Sequence, residues 1–315
     1  MKLRPGMLLL ATATLLACTE QPAMKPQPGE EPYLSTSAAP VRLALVLSSG
    51  SLRCFAHIGV LRALEAEGIR PDLIVGTSGG AIVGALSASG MSGADLWRMV
   101  AAEDFDFGSD WMNAGADRPR QTVYEFTQRN LRQARIEQFP TAFAAVVTDL
   151  RSGCIKIFTA GGAALAVQAS TGMPGVFAAT PIAGHDYADG ALSSPLPVFA
   201  ARQLGAERVI AVDLTYPPAD SRLDGRLDRL FQIGLVMTRS LATQEAMHAD
   251  LVIRPQLPAT SQISLRNRVA VMTAGEEAAR QALPEIKRLL AQPAPRRAAA
   301  EPDPRNCEEI LSAGH

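Results

Sequence analysis

Residues 41–90, VRLALVLSSGSLRCFAHIGVLRALEAEGIRPDLIVGTSGGAIVGALSASG, contain the pattern from which the architecture follows. The segment opens with the short apolar run VRLALVL, which is typical of a buried strand. A helical pattern follows, with Ile58, Leu61 and Leu64 on one face and Gly68 at its predicted end. The strand-like run DLIVG and the helical pattern GGAIVGALSASG then repeat this order. Strand, helix, strand and helix with short links predict parallel strands in an α/β sheet.

The composition is that of a globular protein. The chain has 315 residues, of which 47% are hydrophobic and 5% aromatic, and its formal net charge is -1. This length and hydrophobic content suit one large domain or two small ones. Because the near-neutral chain has no overall basic field, nucleic acid is not expected as a partner.

The N-terminus has the layout of a secretory signal peptide, predicted over residues 1–17. Lys2 and Arg4 precede an apolar stretch that is too short to span a bilayer as a helix. The run LLAC, ending at Cys18, resembles the bacterial lipoprotein box, in which cleavage before the cysteine exposes it for lipid attachment. An ordinary signal peptide or a short N-terminal anchor is the alternative. A lipidated Cys18 predicts anchoring to a membrane of the bacterial cell envelope, and Thr19, in place of an aspartate, favours the outer over the inner membrane.

The rest of the chain divides into a tether, one domain and a tail. Residues 18–40 are rich in proline and polar side chains, which suits a lipidated N-terminus on a flexible tether. The folded domain is expected over residues 41–291, and the Pro- and Ala-rich residues 292–315 are expected to be a disordered tail. Within the domain, Met91–Pro140 is less regular and fits either a helical cap or peripheral helices packed on the sheet.

The cysteines and histidines do not suggest a metal site. Cys54, Cys154 and Cys307 allow one disulfide in an oxidising envelope, but their spacing does not choose the pair. No two cysteines are close in sequence, and no histidine shows ligand spacing. The chain is therefore expected to bind no metal.

A candidate nucleophile lies between the second strand and the second helix. The residues Gly76-Thr77-Ser78-Gly79-Gly80 follow the apolar run directly, as in a nucleophile elbow. In such a turn the serine hydroxyl projects from the sheet edge, and small residues two before and two after it let the backbones pass. The placement predicts Ser78 as a nucleophile, with Gly76 and Gly80 as the elbow glycines.

A serine hydroxyl needs a base, and the sequence offers two kinds. The chain order of an α/β hydrolase, Ser then acid then His, is met only by His248 with an acid such as Asp213, and nothing around His248 singles it out. The other candidate is Asp189, which follows a short extended run and precedes a glycine that permits a sharp turn. Taken alone, this Asp-Gly pair is an ordinary turn signal.

Four blocks of the sequence together resemble the patatin-like phospholipases, over about residues 41–290. They are SSGSLRCFAHIGVLRALEAEGI, IVGTSGGAIVGAL, VVTDLRSGCIKIFTAG and QASTGMPGVFAATPIAGHDYADGALSSPLPV, the last of which contains the Asp-Gly-Ala motif of the family. The resemblance implies a three-layer α/β/α fold with a mainly parallel central sheet. It also implies a Ser78/Asp189 dyad that hydrolyses fatty-acyl esters through an acyl-enzyme, with no histidine base, cofactor or metal.

The resemblance also gives the loop after the first strand a function. In this family the loop is glycine-rich, and its backbone N–H groups stabilise the oxyanion of the tetrahedral intermediate. Gly50 and Ser51 lie in this loop, and Arg53 matches its basic position. Here serines stand at several positions where the family has glycines, and Cys54 stands where the last glycine is expected. A position with positive φ tolerates glycine far better than serine or cysteine. Backbone donors do not depend on side-chain identity, however, so the hole is expected to survive if these residues keep ordinary dihedrals.

The leading hypothesis is a serine lipid acyl hydrolase, either a phospholipase, a lysophospholipase or an esterase, whose partners are a lipid acyl ester and, through the anchor, a membrane. The altered oxyanion loop motivates an alternative, a catalytically weak domain of the same family that binds lipid or a protein. A nucleotide-binding domain fits less well, because the loop lacks the Gly-Lys-Ser/Thr ending of a P-loop and the glycine spacing of a dinucleotide fingerprint.

Overall fold

The computed structural model describes residues 29–35, 40–106, 118–174, 177–216, 226–257 and 265–293. The strands are β1 (Leu43–Leu47), β2 (Leu73–Thr77), β3 (Ala142–Asp149), β4 (Ile155–Phe158), β5 (Thr180–Ile182), β6 (His185–Asp189), β7 (Arg208–Val212) and β8 (Leu251–Ile253). The α-helices are α1 (Phe55–Ala66), α2 (Gly79–Ala88), α3 (Gly93–Ala101), α4 (Arg118–Asn130), α5 (Ala163–Ser170), α6 (Val198–Gln203), α7 (Arg226–Ala246) and α8 (Arg268–Ala291). Short 3₁₀ helices span Ser51–Cys54, Ile136–Gln138, Gly190–Leu192 and Leu265–Asn267.

The strands form one mixed sheet in the order β5-β6-β3-β2-β1-β7-β8, and β4 pairs with β3 beside this path. The five strands β3, β2, β1, β7 and β8 are parallel to one another. Strands β4 and β6 run antiparallel to β3, and β5 runs antiparallel to β6. The predicted α/β fold with a mainly parallel central sheet is confirmed.

The alternating residues of β1 show why helices cover both faces of the sheet. Leu43, Leu45 and Leu47 enter one apolar cluster, together with residues of α1, α2, α5 and α8. Ala44 and Val46 point the other way, into a cluster with residues of α6 and α7. A strand with both faces buried has a continuous apolar sequence, which explains the run VRLALVL and the three layers.

The region Met91–Pro140 contains α3 and α4, and residues 107–117 lie outside the described part of the chain. Helix α3 packs against α1 and α8, and α4 packs against α5. Both helices therefore lie against other helices of the domain.

The segment before β1 also contacts the domain. Tyr33 pairs with Ala160, and the Gly162 N–H donates to the Glu30 carbonyl. Part of the segment predicted as a tether thus packs on the loop that follows β4. The predicted signal peptide and Cys18 lie outside the described residues, as does most of the predicted C-terminal tail. Among the helices of the described residues, none is both long enough and apolar enough to cross a membrane.

Candidate active site

Ser78 occupies the turn that joins β2 to α2, in a strained conformation. Its φ of 57° and ψ of -125° lie in a region that residues other than glycine rarely adopt. The two elbow glycines are needed for steric reasons. A Cβ on Gly76 would lie 2.5 Å from the Gly80 carbonyl oxygen, and one on Gly80 would lie 2.2 Å from the Leu47 carbonyl oxygen. The helix start can approach β1 this closely only because Gly80 has no side chain.

The sheet register brings Asp189 to the nucleophile across 111 residues of sequence. Thr77, the last residue of β2, pairs with Val146 of β3, and the next β3 residue, Val147, pairs with Asp189. Asp189 therefore lies where β2 gives way to the turn. The Ser78 hydroxyl donates to Asp189 Oδ2 over 2.8 Å, and both side chains are buried.

Hydrogen bonds hold both the side chain and the backbone of Asp189. Its Oδ1 accepts the Ala191 N–H at 2.8 Å, while its backbone carbonyl accepts the Thr148 hydroxyl at 2.9 Å. Burial raises the pKa of the Asp189 carboxyl to about 6, although the hydrogen bonds from Ala191 and Ser78 oppose this rise. A fixed carboxylate with a pKa close to neutral suits a general base.

Ser170 supports the nucleophile turn and was not identified from the sequence. Its hydroxyl oxygen accepts the Ser78 N–H at 3.0 Å and donates its own proton to the Val146 carbonyl at 2.7 Å. The Ser78 N–H is therefore occupied, so it is not free for a developing oxyanion. Ser170 belongs to the block QASTG that carries part of the family resemblance, which was the available signal.

The loop after β1 lies against the first turn of α2 and offers two free N–H groups. The Ser49 carbonyl accepts the Ser48 hydroxyl at 3.0 Å, and the Gly50 carbonyl accepts the Arg53 N–H at 3.0 Å. Because C=O and N–H point in opposite directions in a trans peptide, the Gly50 and Ser51 N–H groups point away from these anchors. Neither N–H has an acceptor among the described residues. Backbone N–H groups without an acceptor are the kind of donor that can bind an oxyanion.

The Arg53 side chain stabilises the loop after β1 through two hydrogen bonds. Its Nε donates to the Gly50 carbonyl over 3.2 Å, and its Nη1 donates to the Tyr216 carbonyl. Burial is the largest influence on the guanidinium and lowers its pKa, while the nearby Tyr216 and Asp213 oppose that effect. Both contacts are to backbone carbonyls, so Arg53 shapes the loop and ties it to the segment after β7.

The two departures from the family pattern behave differently. Ser51 has a φ of 51°, in the left-handed region that favours glycine, so it does not keep an ordinary dihedral. Cys54 has a φ of -55° and needs no glycine. Its thiol is free and buried, and burial raises its pKa to about 12. Cys154 is disulfide-bonded, and Cys307 lies outside the described residues.

His248, the alternative base, makes its contacts away from Ser78. The His248 ring packs on Phe199, with 4.4 Å between ring centroids. Asp213 instead accepts hydrogen bonds from the Thr215 hydroxyl and from Arg254 Nε. In the part of the chain that the structure describes, no group of three or more His, Cys, Asp or Glu side chains is arranged to hold a metal ion.

The structure has a strand-to-helix serine turn with a buried carboxylate partner, on a three-layer α/β/α fold. These are the features that the resemblance to the patatin-like phospholipases implied. The sequence matches the model of the patatin-like phospholipase family over residues 45–202, which is half of the chain. The chain belongs to this family.

Two relatives illustrate the extent of the similarity. An uncharacterized NTE family protein of Mycobacterium tuberculosis is 32% identical over 176 residues, which are 55% of this chain and 49% of the relative. The human patatin-like phospholipase domain-containing protein 6 is 32% identical over 182 residues, which are 55% of this chain and 13% of that protein. The chain therefore matches about half of the mycobacterial relative and a small part of the human one. Among solved structures, VipD from Legionella pneumophila has a TM-score of 0.46 at 13% identity, covering 84% of this chain and 72% of VipD.

Proposed function

We propose that this protein is a serine hydrolase of lipid acyl esters, with Ser78 as nucleophile and Asp189 as base. The observation that carries the proposal is the 2.8 Å hydrogen bond from the Ser78 hydroxyl to Asp189 Oδ2. Membership of the patatin-like phospholipase family supports a lipid ester as the substrate. The substrate class within this group is a phospholipid, a lysophospholipid or a simpler ester.

Acylation begins when Ser78 Oγ attacks the ester carbonyl carbon and its proton passes to Asp189 Oδ2. The carbonyl carbon becomes tetrahedral and its oxygen becomes an oxyanion. This oxyanion accepts hydrogen bonds from the free N–H groups of Gly50 and Ser51. Each such donor lowers the barrier by about 3 kcal/mol. When the intermediate collapses, the ester C–O bond breaks, and Asp189 returns the proton to the leaving alkoxide.

Deacylation repeats these steps with water as the nucleophile. Asp189 removes a proton from the water, and the resulting hydroxide attacks the carbonyl carbon of the acyl-Ser78 ester. The same two N–H groups bind the second oxyanion. Collapse releases the fatty acid, and the proton held by Asp189 returns to Ser78 Oγ. One carboxylate thus serves as base and then as acid in both halves of the reaction.

The experiment compares purified protein with Ser78→Ala and Asp189→Asn on short- and long-chain p-nitrophenyl esters. A burst of p-nitrophenol equal to the enzyme concentration, absent in both variants, is the expected result. His248→Ala is the matched control, because His248 is the other candidate base, and this variant should retain full activity. Equal rates in the wild type and Ser78→Ala would overturn the proposal.

A catalytically weak, lipid-binding domain is the second candidate function, and the left-handed conformation of Ser51 is the observation that favours it. A serine in the left-handed region costs free energy, and this cost disfavours the loop conformation in which the Gly50 and Ser51 N–H groups are free. For such a protein, the wild type and Ser78→Ala would hydrolyse esters at the same background rate and would bind lipid vesicles equally well.

We further propose that Cys18 is lipidated and anchors the protein in a bacterial cell envelope, with the outer membrane favoured. The lipoprotein-like run LLAC supports this proposal. Metabolic labelling of the full chain with a fatty acid tests it. Label should appear in the wild type and be lost in Cys18→Ser, and label retained by that variant would contradict the proposal.

A further inference from the structure

His57 is a buried histidine of α1 that the proposed reaction does not use. Its side chain is fully buried, and its Nε2 lies 3.0 Å from the Ser48 carbonyl oxygen. A carbonyl can only accept, so Nε2 carries the proton and donates. The other ring nitrogen, Nδ1, is buried without a hydrogen-bond partner among the described residues. Burying Nδ1 without a partner costs free energy, and an apolar side chain at this position would avoid that cost. We therefore attribute the histidine to the hydrogen bond that its Nε2 donates.

The peptide unit that His57 contacts is held at both ends. The Ser48 carbonyl accepts from His57 Nε2, and the N–H of the same peptide unit, on Ser49, donates to the Pro195 carbonyl at 2.8 Å. These two bonds fix the orientation of the peptide plane. The Ser48 carbonyl also borders the nucleophile turn, because a Cβ on Gly80 would lie 2.6 Å from its oxygen.

This clamped peptide immediately precedes the two free N–H groups. Gly50 and Ser51 are the next two donors along the chain, and Ser51 holds a left-handed φ of 51°. A strained conformation persists only where its surroundings enforce it. A loop anchored before Ser49 and again at Arg53 leaves little freedom for the residues between, so the anchor at His57 fixes where the donors point.

We propose that His57 is a positioning residue that fixes the oxyanion loop by donating its Nε2 proton to the Ser48 carbonyl. The proposal rests on the proposed function of Ser78 and assigns to His57 no contact with substrate. The contacts also argue against His57 as the base for Ser78, because Nε2 is bonded to Ser48, Nδ1 has no hydrogen-bond partner among the described residues, and the Ser78 hydroxyl donates to Asp189. Burial lowers the pKa of the imidazole to about 4, so it stays neutral while the enzyme works.

Two substitutions separate the donor from the bulk of the ring. His57→Phe keeps a ring and removes the donor, whereas His57→Gln places an amide N–H close to the position of Nε2. His57→Leu serves in place of the Phe variant if the larger ring prevents folding. Ser89→Ala is the matched control, because it removes a buried hydrogen bond from a side chain to a carbonyl, Ser89 Oγ to Leu86, at the C-terminal end of α2 and away from the turn.

Two readouts are measured on each purified variant. The first is kcat and KM on a soluble p-nitrophenyl ester, with Ser78→Ala as the background. The second is amide hydrogen exchange, by mass spectrometry, of the peptide that covers residues 48–54. The second readout needs no catalysis, so it tests the contact of His57 with the loop independently of the proposed function.

The Phe variant should lose about tenfold to a hundredfold in kcat with KM nearly unchanged, because misplaced donors weaken transition-state binding alone. Its loop amides should exchange faster, and the Gln variant should restore both readouts. Ser89→Ala should change neither. A Gln variant as slow as the Phe variant, or unchanged loop exchange in the Phe variant, would overturn the proposal. If loop exchange follows the expected pattern and no variant differs from Ser78→Ala in rate, the proposed function fails while the contact of His57 with the loop stands.

Discussion

Lowering the pH from about 7 to about 5 should reduce kcat/KM for ester hydrolysis about tenfold, because the base becomes protonated. Asp189 must be ionised to accept the Ser78 proton, and burial raises the pKa of its carboxyl from the ordinary 3.8 to about 6. About nine tenths of the carboxyl is then ionised at pH 7 and about one tenth at pH 5. An unperturbed aspartate would leave the rate flat over the same range.

The assay is kcat/KM on a soluble p-nitrophenyl ester from about pH 4.5 to about pH 8, because kcat/KM reports the pKa of the free enzyme. Product is followed at the isosbestic wavelength of p-nitrophenol, so that its own ionisation does not distort the profile. His248→Ala is measured beside the wild type and should give the same inflection near pH 6.

Stability should change with pH in the opposite sense to activity. A carboxyl whose pKa is raised by folding binds more protons in the folded state, so stability falls as the pH rises from about 4 to about 6. The shift of the Asp189 pKa from 3.8 to about 6 corresponds to a loss of about 3 kcal/mol at neutral pH. Asp189→Asn stays neutral, so its free energy of unfolding relative to the wild type should increase by about 2 kcal/mol between about pH 4 and pH 7.

Three outcomes would contradict the assignment of Asp189. A kcat/KM that is flat between pH 5 and pH 7 would show that burial does not tune this carboxyl. An inflection that His248→Ala removes would assign the base to that histidine. A stability difference between Asp189→Asn and the wild type that does not change with pH would show that the carboxyl is not perturbed by folding.

Two further pairs of substitutions test the turn and the loop, Gly80→Ala with Gly234→Ala as its control, and Ser51→Gly with Ser51→Ala as its control. Gly80→Ala places a Cβ 2.2 Å from the Leu47 carbonyl oxygen, so it should lower stability by about 1–3 kcal/mol and reduce kcat. Gly234→Ala, where a Cβ would meet nothing within 4 Å, should stabilise α7 by about 0.5–1 kcal/mol and leave activity unchanged. Ser51→Gly should relieve the left-handed strain, raising the unfolding midpoint in urea by an amount equivalent to about 1 kcal/mol without lowering kcat, whereas Ser51→Ala should give no such gain. If Gly80→Ala and Gly234→Ala changed stability equally, the steric argument for Gly80 would be wrong. If Ser51→Gly and Ser51→Ala changed stability equally, the argument for backbone strain at Ser51 would be wrong.

Much of the nucleophile turn could be predicted from local sequence. An apolar run, a Gly-x-Ser-x-Gly pentapeptide and a helical pattern follow one another within residues 73–88, and each depends only on short-range sterics and periodicity. The parallel α/β sheet follows from the same repeated order of strands and helices. Asp189 was a weaker inference, because an Asp-Gly pair alone indicates only a turn, and the family resemblance was needed to select it.

The contacts between distant segments were decided by the tertiary structure. The sheet register places Asp189 beside Ser78, and Ser170 supports the Ser78 N–H from another helix. His57 belongs to an amphipathic helical pattern, and only its contact with the Ser48 carbonyl distinguishes it. Local sequence determines which conformations a short segment prefers. Which carbonyl accepts which donor depends on how strands pair and helices pack, and so these roles emerged only from the folded chain.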